Sequence, residues 1–249
     1  MPIHPSGDTP DSSPASVLIV AGPTHEPIDA VRYIANRSSG SLGVALADAA
    51  RARDCRTTML MGPGGIATEK LTNTRTGPAN ADPEQAPDSP ERVLRFRSSH
   101  DLQALLLREA AGCDLLIMAA AVADYRPASP HPGKLPRTGD ALTITLEPVP
   151  DLLALATGRL RPGAIAVGFA LEENAGDHER AKAKMARKGC RAIVLNPLAT
   201  MDSGGIDATI LFADGSPPVI PGPLSKTEFA SRLVDVALGL WASARGNAP

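Results

Sequence analysis

Short apolar runs, each stopped by glycine, proline or charge, recur along the chain and constrain its fold more than any other feature. Ser16-Val17-Leu18-Ile19-Val20 ends at Ala21-Gly22-Pro23, and Thr57–Met61 ends at Gly62-Pro63-Gly64-Gly65. Val93–Phe96, Leu115–Met118, Ile165–Phe169 and Ala192–Leu195 have the same form. Bounded runs of this kind suit strands covered on both faces, where no polar side is needed. Between them lie segments of helical spacing. Leu42–Ala52 carries Leu42, Leu46 and Ala49, and a second helix starts at the capping pair Ser98 and Asp101. A third, rich in Ala, Lys and Arg, covers 177–188. The last opens on Ser225 with Glu228 and carries the stripe Phe229, Leu233, Val236, Leu240. Strand alternating with helix predicts an α/β fold: three layers, Rossmann-like, with a mainly parallel sheet and helices on both faces. Leu115–Met118, the most apolar run, belongs at the centre. Two further segments read as strands. Leu142–Leu146 alternates as a half-exposed strand should, and Thr209–Phe212 suggests a hairpin with the segment after Asp214-Gly215.

With 249 residues, 43% of them hydrophobic, the chain can bury one large core. The expected organisation is a disordered tail over 1–15, MPIHPSGDTPDSSPA, and a single domain over 16–245. A surface excursion, expected to be mobile, falls near 64–90, where apolar periodicity gives way to Pro, Gly, Asn, Thr and charge. A net charge of -2 and a pI near 6.2 carry no footprint of nucleic-acid or membrane-surface binding. No apolar run reaches membrane-span length, and the start lacks a signal-peptide core, so the expected location is the cytoplasm. Cys55, Cys113 and Cys190 are unpaired in spacing, and with five scattered histidines they predict no structural metal.

Sheets of this kind bind ligands beyond the carboxyl ends of their strands, and the chemical motifs fall there. After the first strand comes AGPTHEPIDAVRYIANRSSGSLG. It is not the glycine fingerprint of a dinucleotide site, and it has no Walker lysine. Ser38-Ser39-Gly40-Ser41-Leu42-Gly43 nevertheless meets a helix start, where free N–H groups and the helix dipole favour an anion. An ordinary helix cap with packing glycines explains the same residues. Arg32, Asn36 and Arg37 just before it favour a charged ligand. His25-Glu26 looks like a catalytic pair, although such a loop dipeptide is more often structural.

These residues resemble a family. GPTHEPIDAVRYIANRSSGSLG is similar to the opening signature of the phosphopantothenoylcysteine synthetases, usually met as the C-terminal half of a bifunctional coenzyme A biosynthesis protein. AAAVADYRP (Ala119–Pro127) resembles their second signature. Pro150-Asp151-Leu152-Leu153, Val167-Gly168-Phe169-Ala170, and Lys184 with Lys188 ahead of Ile193-Val194-Leu195-Asn196 continue the likeness in order. Only a short tail precedes the first strand, so the expectation is a stand-alone, bacterial-type synthetase without the flavin-dependent decarboxylase half.

The resemblance implies a ligase that joins the carboxylate of 4′-phosphopantothenate to the α-phosphate of CTP, releases pyrophosphate, and lets the amine of cysteine attack the acyl-cytidylate. It implies Mg2+ and a homodimer. It carries over a nucleotide pocket of Ala119, Ala120, Asp124, Pro150, Asp151, Leu152, Leu153, Phe169, Lys184 and Lys188, which Lys134 and the anion cradle of Ser38, Ser39 and Gly40 complete. Lys134, ten residues past Asp124 at the head of a flap near 127–140, becomes the lysine of the chemical step. Arg32 and Asn36 hold the acyl partner, Asn36 with a catalytic share. Plainer readings stand beside these: Lys184 and Lys188 as a solvated helix face, Phe169 as core, Lys134 as an exposed loop lysine. The flap departs from the family's lysine pattern at Pro136 and Arg137, and Val149 and Arg191 replace the usual asparagine and aspartate. A relative using the same chemistry on another acid or amine, or a nucleotide-binding protein without catalysis, is the alternative.

Overall fold

The computed structural model describes residues 13–64, 91–173, 178–198 and 205–246. Most of the expected tail, and nearly all of the excursion expected near 64–90, lie outside the described residues. Seven strands build the main sheet: β1 (Ser16–Pro23), β2 (Arg56–Met61), β3 (Glu91–Arg95), β4 (Leu115–Ala121), β5 (Ile165–Glu172), β6 (Ala192–Pro197) and β7 (Thr209–Phe212). Their order is β7-β6-β5-β4-β1-β2-β3. All neighbours are parallel except β6 and β7. The most apolar run is the central strand, as its composition predicts.

Among the described residues five α-helices cover the sheet: α1 (Ser41–Arg51), α2 (Ser99–Glu109), α3 (Leu152–Thr157), α4 (His178–Arg187) and α5 (Lys226–Ala244). The pleat divides β1 between two cores. Val17 and Ile19 join Leu46 of α1 and Phe229 and Leu233 of α5 on one face. Leu18 and Val20 join Leu102 of α2, Leu152 of α3 and Met185 of α4 on the other. This produces the three expected layers. Each such side chain, taken fully out of water, contributes about 1.5–3 kcal/mol. The capping boxes at Ser98/Asp101 and Ser225/Glu228 both form.

Three local expectations shift. Leu142–Leu146 is not a strand: only Leu146–Pro148 is extended, paired with Tyr125–Pro127 in a separate two-stranded ribbon. That ribbon lies off the main sheet, so Leu142 and Leu146 stay 59% and 42% exposed. Thr209–Phe212 pairs along its length with β6 and meets the returning segment only at the Ile210–Val219 bridge. On α5 the buried stripe is Phe229, Ala230, Leu233, Val234 and Ala237, with Val236 and Leu240 only partly covered. Ala230 and Ala237 join the core that holds Leu46, Ala47 and Ala50 of α1, against which α5 packs. No helix among the described residues is long and apolar enough to cross a membrane.

Candidate active site

Strand order reverses between β1 and β4, the place where open α/β sheets leave a crevice. Their register carries Ala21, Gly22 and Pro23 alongside Ala119, Ala120 and Ala121. The ladder between β4 and β5 stops at Ile117 and Val167, although both strands continue. The diverging ends open two adjoining cavities that share Arg37, Ala120, Ala121, Phe169 and Leu171.

The larger cavity, about 700 Å³, gathers Asn36, Ala120, Asp124, Pro150, Asp151, Leu152, Leu153, Phe169, Lys184 and Lys188 from five separate segments. Its charges are largely matched within the chain. Lys184 Nζ donates to Glu172 Oε1 at 3.1 Å, and Lys188 Nζ sits 3.2 Å from Asp151 Oδ1. Asp151 also caps α3 by accepting from Ala154 N at 3.2 Å. Asn36 Nδ2 donates to the Val122 carbonyl at 2.8 Å, holding the first loop over the end of β4. The Asp124 carbonyl accepts from Val149 N at 2.9 Å, while the residue itself stays exposed. Val149 therefore does through its backbone what any residue could do there. Arg191 lies elsewhere, paired with Asp214 at 3.1 Å.

The second cavity, about 300 Å³, contains Ser38, Ser39, Gly40 and Ala119, with Lys226 and Asn196 opposite. Gly40 is the N-cap of α1 in the left-handed region (φ 69°), and no side chain caps that helix. Ser39 Oγ and Ser41 Oγ are 2.8 Å apart, and Lys226 Nζ donates to Ser41 Oγ at 3.0 Å. A helix start, hydroxyls and a lysine thus face one space, a donor-rich setting that suits an anion. Gly43 serves packing: a Cβ there would come within 2.0 Å of Ala21 Cβ, so glycine lets α1 press onto β1.

Arg32 and Lys134 line neither cavity. Arg32 grips Asp29, whose side chain is fully buried. Asp29 Oδ1 accepts from Val31 N at 2.8 Å and Arg32 N at 2.7 Å. Its Oδ2 accepts from both Arg32 Nε and a terminal guanidinium nitrogen, and from Leu135 N at 3.0 Å. The Arg32 hydrogen bonds, then those from the Val31, Arg32 and Leu135 backbone, hold the Asp29 carboxyl well below the usual carboxylate range. Arg32 also donates to the Leu135 carbonyl at 3.0 Å, so the flap is tied down beside exposed Lys134. Residue patterns missed Asp29. Its only signal was an aspartate followed closely by free backbone donors, as in an Asx turn.

His25 and Glu26 take the structural reading. Glu26 is buried and accepts from Ser99 N at 2.8 Å and Ser99 Oγ at 3.0 Å, tying the first loop to α2. The His25 ring stacks on Tyr33 at 3.7 Å, and burial, then Arg97, lowers its pKa. All three cysteines are buried. Among the described residues no group of three or more His, Cys, Asp or Glu could hold a metal ion by itself. Magnesium carried on nucleotide phosphates needs only one or two carboxylates, and Asp124 and Asp151 line the larger cavity.

The chain matches the DNA/pantothenate metabolism flavoprotein C-terminal domain over residues 13–240. It belongs to that family. The coenzyme A biosynthesis bifunctional protein CoaBC of Mycobacterium tuberculosis (strain ATCC 25618 / H37Rv) is 33% identical over 237 residues, 90% of this chain and 52% of that protein. A protein named cysteine/cysteine sulfinic acid decarboxylase, from an unidentified prokaryote, is 35% identical over 188 residues, 76% of this chain and 47% of its own length. The crystal structure of a CoaBC C-terminal domain superposes with a TM-score of 0.68 at 26% identity, covering 89% of this chain and 93% of that one. The chain thus spans about half the length of the curated relatives it matches. What those whole proteins do belongs to them. The family and the shared fold belong to this chain.

Proposed function

We propose that this chain is a phosphopantothenoylcysteine synthetase: it activates the carboxylate of 4′-phosphopantothenate with CTP and couples it to cysteine. The observation that carries the reading is the pair of adjoining cavities at the carboxyl edge of the sheet, one lined by Lys184 and Lys188, the other by the uncapped start of α1 and Lys226. Two joined spaces, both basic-lined, suit a nucleoside triphosphate with a second substrate meeting it at the α-phosphate. Membership of the family, with a CoaBC relative along 90% of the chain, supports the same chemistry.

A carboxylate is a poor electrophile, so the first step must make a leaving group. A carboxylate oxygen attacks the α-phosphorus of CTP, the bond to the bridging oxygen breaks, and pyrophosphate departs with Lys226 and the α1 N–H groups taking its charge. The amine of cysteine then attacks the acyl carbon, CMP leaves, and a proton is lost to form the amide. Asp124 and Asp151 would be the carboxylates to hold magnesium, which would neutralise phosphate charge. Asn36 is fixed at the cavity wall by Val122, where it can orient the acyl partner. Lys134 supplies positive charge to the attacking carboxylate from the flap.

A homodimer in the cytoplasm is part of this reading. Val31, Tyr33, Tyr125, Leu142 and Leu146 stand exposed on the first loop and ribbon, apolar surface that a second copy would cover. Steady-state pyrophosphate release tests the function: it should require CTP and 4′-phosphopantothenate together, and ATP should serve poorly. Release with another acid, and none with this one, would leave fold and chemistry intact and overturn the substrate.

A further inference from the structure

We propose that Asp29 is a positioning residue that holds the flap so that Lys134 is presented to substrate. The inference rests on the synthetase reading and deepens it. Asp29 and Leu135 are 106 residues apart in sequence, yet the buried carboxylate accepts the Leu135 amide at 3.0 Å while Arg32, held by that carboxylate, donates to the Leu135 carbonyl at 3.0 Å. Both polar backbone groups of the residue after Lys134 are therefore taken. On the other side, Ala30 N donates to the Gly133 carbonyl at 3.2 Å and His131 N to the Ile28 carbonyl at 2.9 Å. Pro136 follows, with its φ locked and no N–H to lose. The backbone around Lys134 is fixed on both sides to one loop, residues 28–32, and the lysine is the exposed side chain in the middle.

A carboxylate buried at the surface end of a loop is kept only where its donors are numerous, and Asp29 has five. Two of those donors close its own turn; the Arg32 side chain and Leu135 amide extend the grip to the flap. The same bonds set Arg32, expected at the acyl group, against Asp29. Loop 28–32 leads directly into Ala35 and Asn36 of the larger cavity, so the clamp joins the flap to that cavity's wall.

Turnover, nucleotide affinity and amide hydrogen exchange, measured on the full chain, test this together. Asp29→Asn removes the charge that Arg32 and Leu135 require. Turnover should fall about tenfold to a hundredfold, the scale of a small misplacement of a catalytic group, while CTP affinity holds. Exchange at Gly133–Leu135 should quicken. Because Asp29 acts through Lys134, Asp29→Asn should lower turnover no further when Lys134→Gln is already present. Arg32→Lys keeps a cation beside Asp29 but weakens the bridge to Leu135; it should show a smaller loss of the same kind, and serves if Asp29→Asn does not fold. Additive losses, a matching loss of CTP affinity, or unchanged exchange would overturn the proposal. Absence of synthetase turnover in the unaltered protein would defeat the functional reading instead, and exchange would still decide whether the clamp exists.

Discussion

The two cavities at the carboxyl edge share a wall but differ in how their charge is balanced. In the larger one Lys184 and Lys188 already face Glu172 and Asp151 within the chain. In the smaller one, among the described residues, Lys226 rests on a serine hydroxyl and α1 begins without a side-chain cap. A ligand anion entering the first must compete with built-in carboxylates. In the second it meets donors held by neutral partners. Lysines equally basic in sequence are therefore not equal in the fold, and on the proposed reading the second cavity is the seat of the polyphosphate tail.

The largest effect should come from neither cavity. On the proposed mechanism Lys134→Gln removes a cation that acts only as the carboxylate attacks, so turnover should fall on the order of a hundredfold or more with CTP affinity nearly unchanged. A matching loss of affinity, seen by calorimetry, would return Lys134 to nucleotide binding. Next comes the contrast between cavities. Lys226→Gln should weaken CTP by about tenfold or more, since a charge-assisted contact contributes roughly 1.5–3 kcal/mol. CMP, which lacks the tail, should bind as before. Lys184→Ala should weaken CTP less, because its cation was already shared with Glu172. The reverse ranking would invert the comparison.

Smaller effects test the frame around the cavities. Gly43→Ala drives a methyl into Ala21 and should destabilise the fold by about 1–3 kcal/mol in a denaturant titration, with the slope unchanged. An unaltered midpoint would mean that α1 is not pressed onto β1. The smallest effect is a pH dependence. Asp29 is held below its ordinary value of 3.8, so its ionised form is the stabilised one. That contribution is complete above the ordinary value and fades only as pH falls below about 4. Thermal melting of the unaltered protein and Asp29→Asn should therefore converge in acid and differ by a constant amount from about pH 5 to 8. A difference growing across neutral pH would name another group.

Much of this was legible in the residues because it depends on patterns that repeat. Buried parallel strands announce themselves as bounded apolar runs, and capping boxes such as Ser98 with Asp101 are local. The ribbon at Leu146–Pro148 was misjudged because alternation describes a face and cannot say whether a core lies against it. The α5 stripe rotated because two alanines, weak in any apolar count, suit close packing better than Val236 and Leu240. At the site, the loops and strand ends predicted for the nucleotide do converge, since they follow the strands. The pairing of Lys184 with Glu172 and the clamp of Asp29 on Leu135 are contacts between distant segments, which no single stretch of sequence encodes.

The path of one oxygen atom tests the central claim most directly. 4′-Phosphopantothenate labelled with ¹⁸O in its carboxylate, turned over with CTP and cysteine, should yield CMP carrying one labelled oxygen. The atom that attacked phosphorus stays on it when the amine displaces CMP. Amide product accompanied by unlabelled CMP, with the label lost elsewhere, would contradict an acyl-cytidylate and the function built on it.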